Sequence, residues 1–211
     1  MADFYQKFGD FQLDVLREVG NIGAGHAASA LAKMLQKEVD MKVPLVNVLS
    51  FDQIADFVGG AETVVVTVFL RVEGDCPGNM FFIIDESSAH NLLSQLLGMK
   101  HSEEHGQLTE MELSALLEIG NILVGSYLSS LADFTGLNLQ PSVPSLAIDM
   151  AGAILSYGLI ELGRAGDFAL TIDTAFFEGS KEVKGHFFLI PDPESFHKLF
   201  SSLGVPLDGN S

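Results

Sequence analysis

The chain carries one segment twice, 100 residues apart, and this duplication limits the possible folds more than any other feature of the sequence. Residues 13–32 read LDVLREVGNIGAGHAASALA, and residues 113–132 read LSALLEIGNILVGSYLSSLA. A repeat of this length is a structural unit that buries its apolar face against its copy. We therefore expect one domain over residues 1–211, made of two internal repeats at about residues 10–100 and 108–204.

Both repeats have the same predicted order of elements: a long helix, strand segments, a hairpin and a closing helix. Apolar residues at helical spacing predict the helices, and runs rich in β-branched residues predict the hairpins. The predicted ranges are residues 10–36, 62–73 with 79–85, and 86–97 in the first half, and residues 109–135, 168–190 and 192–203 in the second. The best match late in the repeats aligns Phe81 with Phe187. The halves differ where residues 54–58 have a helical pattern and residues 152–162 an extended one.

Helices that are separate from strand hairpins in each half indicate an α+β fold. We expect the halves to be related by a pseudo-twofold axis and to share one continuous antiparallel sheet, which would pair the strand edges of both. The two long helices should then pack side by side on one face of this sheet.

The composition limits the partners and the compartment. The formal net charge of -17 would repel a polyphosphate backbone, so nucleic acid is not expected as a partner. The first residues have early acids and no apolar region behind a basic start, so we expect no signal peptide. The single cysteine, Cys76, fits a reducing compartment. We expect a soluble, cytoplasmic protein.

The most apolar stretch, residues 145–162, is not expected to enter a membrane. Asp149, Glu161 and glycines interrupt it, and it is not a continuous apolar run of roughly 18 residues. We interpret it as a buried strand pair.

The duplicated helices each keep a glutamate three residues before an asparagine, Glu18 with Asn21 and Glu118 with Asn121. This spacing puts both side chains on one face of a helix, about one turn apart. One such pair would be ordinary helix surface, but two copies favour a function. A carboxylate can hold a cation, and an amide can donate and accept hydrogen bonds at once, which suits the orientation of a water molecule.

Glycines lie beside both pairs, although each costs roughly 1 kcal/mol against alanine inside a helix. Gly20 and Gly23 occur in the first copy, and Gly120 and Gly125 in the second. Such glycines indicate close packing, either of another helix or of a partner protein.

The full motif is D/S-x3-E-x2-N-x22-P. It occurs at Asp14, Glu18, Asn21 and Pro44, and again at Ser114, Glu118, Asn121 and Pro144. With this motif the whole chain resembles the CheC, CheX and FliY family of chemotaxis phosphatases, and two complete motifs are typical of its CheC-like members. FliY-like members add a C-terminal domain, which we do not expect here.

The resemblance implies a phosphatase that acts on the phosphoaspartate of the response regulator CheY. Asn21 and Asn121 would each orient the attacking water, and Glu18 and Glu118 would each pair with a lysine of the regulator. The chain itself would bind no cofactor, because the required Mg2+ would belong to the regulator.

The remaining motif positions and partners follow from the same resemblance. Asp14 and Ser114 would support the pairs, and Pro44 and Pro144 would shape the exit from the helical layer. CheD is an expected partner, and the duplication favours a monomer. The alternative is a binding module that docks on phosphorylated CheY or on CheD with little or no catalysis.

Three other patterns are interpreted as structural. Residues 101–105 read HSEEH, which matches a zinc-protease pattern but lacks an apolar period and indicates a solvated linker. Residues 20–25 read GNIGAG, which follows no strand and lacks the lysine of a phosphate-binding loop. Cys76 has no nearby histidine in sequence and is not expected to act as a nucleophile.

Overall fold

The computed structural model describes residues 10–43, 45–98, 108–161, 168–178 and 181–203. The helices of this part are α1 (Asp10–Leu35), α2 (Phe51–Phe57), α3 (Glu86–Leu97), α4 (Glu110–Thr135), α5 (Ala151–Glu161) and α6 (Pro193–Ser202). Its strands are β1 (Asp40–Lys42), β2 (Val46–Ser50), β3 (Val64–Gly74), β4 (Gly78–Asp85), β5 (Leu139–Pro141), β6 (Ser145–Met150), β7 (Phe168–Glu178) and β8 (Lys181–Pro191). The predicted long helices, hairpins and closing helices are confirmed.

The described strands form one antiparallel sheet in the order β1-β7-β8-β4-β3-β5, in which β2 also pairs with β7 and β6 with β3. The hairpins β3–β4 and β7–β8 meet along β4 and β8, where Phe81 lies opposite Phe188 and Phe82 opposite Phe187. The predicted continuous sheet shared by both halves is therefore confirmed.

The strands that follow each long helix pair with the hairpin of the other repeat. In the first repeat β2 lies along β7, so that Val46 is opposite Ile172. In the second, β6 lies along β3, so that Leu146 is opposite Val68. Each repeat thus completes the sheet of the other.

The long helices α1 and α4 pack together on one face of the sheet, as predicted. A Cβ added at Gly23 would lie 3.0 Å from the Cα atom of Tyr127, so the glycine allows close contact between the helices. The Nδ1 atom of His26 lies 3.2 Å from the Oγ atom of Ser130. The Tyr127 hydroxyl in turn lies 2.9 Å from that of Thr174 on β7, which links α4 to the sheet.

Among the described residues, α4 is the one helix long and apolar enough to cross a membrane. Half of its most apolar window is buried within the protein. Leu116, Leu123 and Leu128 of this helix belong to the core that α1, α4 and the sheet enclose. The packing therefore explains its apolar composition.

The interpretation of residues 145–162 as a buried strand pair was wrong. Within the described part of this range, only Ser145–Met150 forms a strand, which pairs with β3 and is mostly exposed, and Ala151–Glu161 is a helix. The N–H group of Gly152 donates to the Ala61 carbonyl at 2.9 Å, and a Cβ there would lie 3.1 Å from that oxygen. Gly152 thus lets α5 begin against this turn.

A second, smaller core covers the opposite face of the sheet. Ile54 of α2 and Ala151 of α5 are fully buried there, together with Val65, Phe188 and Ile190 of the strands. The sequence predicted that the halves differ here, but they are alike. Helix α2 follows β2 in the first half, and helix α5 follows β6 in the second. The sheet has helices on both faces.

The helix glycines differ in what surrounds them. A Cβ at Gly120 would lie 2.6 Å from Cγ2 of Val68, and one at Gly20 would lie 3.4 Å from Cγ1 of Val43. Gly25 and Gly125 have no heavy atom within 4 Å of such a Cβ. Close packing at Gly20, Gly23 and Gly120 is therefore within the chain, and the idea that these glycines serve a partner's approach is not supported.

The two kinds of glycine give opposite expected effects on stability. Gly125→Ala should raise the free energy of unfolding by about 0.5–1 kcal/mol, because alanine restricts the unfolded chain and meets open space. Gly120→Ala should lower it by about 1–3 kcal/mol, because the new methyl group collides with Val68. Urea unfolding of both variants measures the difference, and equal changes would contradict this packing.

A second prediction concerns Asp85, which caps the N-terminus of α3. Burial raises the pKa of its carboxyl group, but hydrogen bonds from the Ser87 hydroxyl and the Ser88 N–H outweigh burial, so the pKa lies below its ordinary value. The carboxylate therefore stabilises the fold above the unfolded-state pKa of about 3.9, and this contribution is lost as pH falls through the folded-state value.

Asp85→Ala should lower the free energy of unfolding by about 1 kcal/mol at neutral pH. The gap from the wild type should be narrower at about pH 3 than at neutral pH, because the contribution of the charged cap is progressively lost below the unfolded-state pKa of about 3.9. Urea unfolding at both pH values measures this difference in the free energy of unfolding. Glu62→Ala, in an exposed turn, is the control. A gap that stays constant would show that the charged cap has no such role.

Candidate active site

Each long helix directs its glutamate and asparagine away from the sheet. Glu18, Asn21 and Glu118 are exposed, and Asn121 is half-buried. The residues between the members of each pair, such as Val19 and Ile119, are buried. The alternation of buried and exposed residues along the helix therefore fixes the direction of both pairs.

The two glutamates are available to an external cation. Within the part of the chain that the structure describes, neither carboxylate has a hydrogen bond or an ion pair. The predicted supporting residues do not bond to them either: Asp14 pairs with Arg17 at 2.8 Å, with both side chains about half exposed, and Ser114 is exposed. The outward face thus presents two unpaired carboxylates.

Asn21 is held by the backbone of its own chain. Its Oδ1 atom accepts a hydrogen bond from the Val43 N–H at 3.1 Å. Val43 directly precedes Pro44, which lies outside the described residues. The spacing between asparagine and proline in the motif thus corresponds to a contact between the helix and the segment before β2.

The second copy lacks this contact. Val143 is 88% exposed, whereas Val43 is 3% exposed. Pro144 is half-buried in the break between β5 and β6, two strands that pair with the same neighbour. Among the described residues, no hydrogen bond reaches the Asn121 carboxamide. The two sites are therefore similar in residues but different in geometry.

The segments that precede the two prolines make different contacts. Val43 packs beside Gly20 on α1. In the second repeat the N–H of Ser142 donates to the Arg71 carbonyl at 2.8 Å, and its hydroxyl accepts from the Arg71 N–H at 3.0 Å. The residue at the corresponding position in the first repeat is Lys42. Ser142 thus anchors this segment to β3, with Val143 in solvent.

The neighbours that differ between the motifs do not lie on the outward face. Gly23 contacts Tyr127, and His26 bonds to Ser130, so both residues belong to the contact between α1 and α4. Their counterparts are Leu123 and Ser126. These differences reflect helix packing rather than the chemistry of either pair.

The outward faces also carry large apolar residues that the sequence reasoning missed. Phe11 is 69% exposed and Met111 is 71% exposed. Each lies seven residues before its glutamate, which places it on the same helix face about two turns away. The matched positions in the two copies were the available signal. A long exposed face with an apolar end fits a protein partner better than a small molecule.

The other candidate sites have structural explanations. Residues 20–25 form a turn of α1, and Cys76 is buried. The 101–105 segment lies outside the described residues. Across the described ranges, no group of three or more histidine, cysteine, aspartate or glutamate residues is placed to hold a metal ion.

The fold and the paired sites define a class: a duplicated protein with one sheet and an outward Glu–Asn pair on each of two packed helices. An X-ray structure of Thermotoga maritima FliY has the same fold, with a TM-score of 0.72, 20% identity, and coverage of 94% of this chain and 98% of that one. The CheC-like family model matches residues 11–48 and 111–148, which include both motifs.

The sequence relatives identify the family. CheY-P phosphatase CheC of Bacillus subtilis is 50% identical over 200 residues, which cover 93% of this chain and 95% of that protein. The putative CheY-P phosphatase CheC1 of Halobacterium salinarum is 24% identical over 192 residues, which cover 91% of this chain and 96% of that protein. The chain belongs to the CheC-like family, as its motifs indicated.

The structure predicts that Cys76 is chemically inert in the folded protein. Burial raises the pKa of its thiol, and the thiol donates to the Ser195 carbonyl at 3.2 Å. Because the thiolate is the reactive form, Ellman's reagent should react far more slowly with the native protein than with the urea-unfolded chain. Equal rates would contradict the burial of this residue.

Proposed function

We propose that this chain is a phosphatase that hydrolyses the phosphoaspartate of the chemotaxis regulator CheY, with one active site on α1 and one on α4. The observation that carries the proposal is the 50% identity, along nearly the whole chain, to a protein named CheY-P phosphatase. The outward Glu–Asn pair on each helix supports it.

An acyl phosphate needs little chemical help from its phosphatase. Water attacks the phosphorus in line, the bond between phosphorus and the aspartate oxygen breaks, and a water proton passes to the phosphate or to solvent. The products are the free carboxylate and inorganic phosphate. Positioning of the water and stabilisation of charge supply most of the rate enhancement in such reactions.

Asn21 and Asn121 are suited to orient this water. The carboxamide oxygen accepts a hydrogen bond from the water, and the NH2 group of the same side chain can donate one to a phosphate oxygen. The side chains of Glu18 and Glu118 lie one turn away, where each can pair with a lysine of the regulator. An exposed helix face lets the pair enter a partner's site, which a recessed pocket would not.

We propose that magnesium acts from the regulator rather than from this chain. Each Glu–Asn pair contributes one carboxylate, whereas a magnesium site usually combines oxygen ligands from more than one group with water molecules. Asp14 does not supplement Glu18, since it pairs with Arg17.

The finer partners are also part of the proposal. CheD is expected from the family resemblance. A monomer is supported by the pairing of β4 with β8, because the two repeats already cover each other's sheet edges. A cytoplasmic location is supported by the substrate, an intracellular signalling protein, and by the buried thiol of Cys76.

A second candidate function is a docking module that binds phosphorylated CheY or CheD with weak catalysis. The bond between Asn21 and the Val43 N–H favours it for the first site, because a side chain engaged by its own backbone is less free to enter a partner. Catalytic turnover separates the two functions.

The test is the decay of radiolabelled phospho-CheY in magnesium buffer with substoichiometric amounts of this protein. The wild type should shorten the lifetime of the phosphoprotein, and the double variant Asn21→Ala with Asn121→Ala should abolish the effect. Asn121→Ala should shift the free energy of unfolding by less than about 0.5 kcal/mol. Asn21→Ala also leaves the Val43 N–H without its acceptor and should lower it by about 1–3 kcal/mol, so urea unfolding of the double variant checks that lost activity does not reflect unfolding.

The matched control is Lys33→Ala with Asp133→Ala, which changes exposed residues at the far ends of the same two helices. This control should retain full activity. Acceleration of the decay by the double asparagine variant would rule out the proposed role of the asparagines.

A further inference from the structure

We infer that the Val43 N–H is a positioning group that holds Asn21 in a resting orientation and makes the first site the less active of the two. The inference rests on the proposed function for its catalytic consequence, but the contact itself can be tested without it. Asn21 and Asn121 occupy the same motif position, but among the described residues only Asn21 is held by the backbone.

The hydrogen bond determines which atom of Asn21 is engaged. A backbone N–H can only donate, so the side-chain atom 3.1 Å from it is the carboxamide oxygen. The orientation of the amide therefore follows from its partner. Asn21 is exposed, and its NH2 group has no hydrogen bond within the described residues.

This orientation is unsuited to the attacking water. Water that attacks phosphorus must release a proton, so the group that orients it has to accept a hydrogen bond. With its oxygen turned toward Val43, the Asn21 carboxamide presents mainly donors to a docked regulator. Val43 occupies one of the two acceptor positions of this oxygen and sets the direction of the amide, so the oxygen serves the water better once Asn21 leaves Val43.

The segment that carries the donor is held in place. Val43 is 3% exposed and packs beside Gly20, one residue before Asn21. Release of Asn21 would leave the N–H of this segment without its partner, which disfavours the released state. The bond is therefore a persistent feature of the resting site.

The second site is free of this constraint. Val143 lies in solvent, and within the described residues its N–H has no contact with Asn121. The Asn121 carboxamide can present either of its ends to a regulator. First sites in which Asn21 has left Val43 are the more competent ones, and their fraction scales the apparent activity. The first site should therefore have a kcat/KM about twofold to tenfold below that of the second.

Hydrogen exchange tests the contact directly. The Val43 amide should exchange slowly in the wild type and faster in Asn21→Ala, while Asn21→Asp, which keeps an acceptor oxygen, should restore slow exchange. The Val143 amide should exchange quickly in the wild type and should not respond to Asn121→Ala. Val43 exchange that is unaffected by Asn21→Ala would overturn the inference.

Single-site enzymes test the functional consequence. Asn121→Ala leaves only the first site, and Asn21→Ala leaves only the second, so the decay of phospho-CheY reports each site separately. The enzyme that retains the first site should be the slower one by about twofold to tenfold. Equal rates, or a faster first site, would overturn the inference.

Removal of the donor provides a gain-of-function test. Val43→Pro in the Asn121→Ala background deletes the N–H and should raise the activity of the first site toward that of the second. Val143→Pro in the Asn21→Ala background is the matched control and should have no such effect. A gain in rate cannot result from misfolding. A folded Val43→Pro variant with no gain would overturn the inference.

The two proposals fail in different ways. If neither single-site enzyme nor the wild type accelerates decay, the proposed function is wrong, and the exchange of the Val43 amide still decides whether Asn21 is held by the backbone.

Discussion

The antiparallel pairing of β4 with β8 is the interaction on which the rest of the structure depends. Both faces of this pair are apolar: Phe82 and Phe187 lie in the core under the long helices, and Phe188 and Ile83 lie in the core on the opposite face. Since a shift of one residue would exchange the two faces, this pairing fixes both cores at once. Gly185 belongs to the same constraint, because a Cβ there would lie 2.4 Å from the Phe82 ring.

Much of this fold could be predicted because the long helices and hairpins have clear apolar periods. Helix α5 could not, since its glycines and continuous apolar residues fit a buried strand equally well, and the choice depends on the turn that Gly152 contacts. The sequence alignment of the two repeats near their ends was also wrong by one residue. The match of Phe81 with Phe187 would put equivalent residues in different cores, whereas Asp85 and Asp192, the N-caps of the closing helices, are the structural equivalents.

The candidate site could also be predicted from the sequence only in part. The outward direction of Glu18 and Asn21 follows from the helical period, because the residues between them are buried. The bond from Val43 to Asn21 does not, since both copies have the same spacing of asparagine, valine and proline. The difference lies in tertiary contacts, since Val43 is buried beside Gly20, whereas Val143 is in solvent next to Ser142, which bonds to Arg71. A sequence motif therefore specifies which residues are present at a site but not how each is held.

The exchange of strands between repeats has a consequence for biosynthesis. Asn47 on β2 and Thr171 on β7, which share a hydrogen bond, are 124 residues apart in the chain. The first repeat cannot complete its sheet when it leaves the ribosome, because β7, the partner of β2, belongs to the second repeat and is made later. Contacts of such long range slow folding, and unpaired strands are prone to aggregation. The duplication that repeats the motif thus also makes the folding of each described half depend on strands of the other, so we expect the two repeats to fold together.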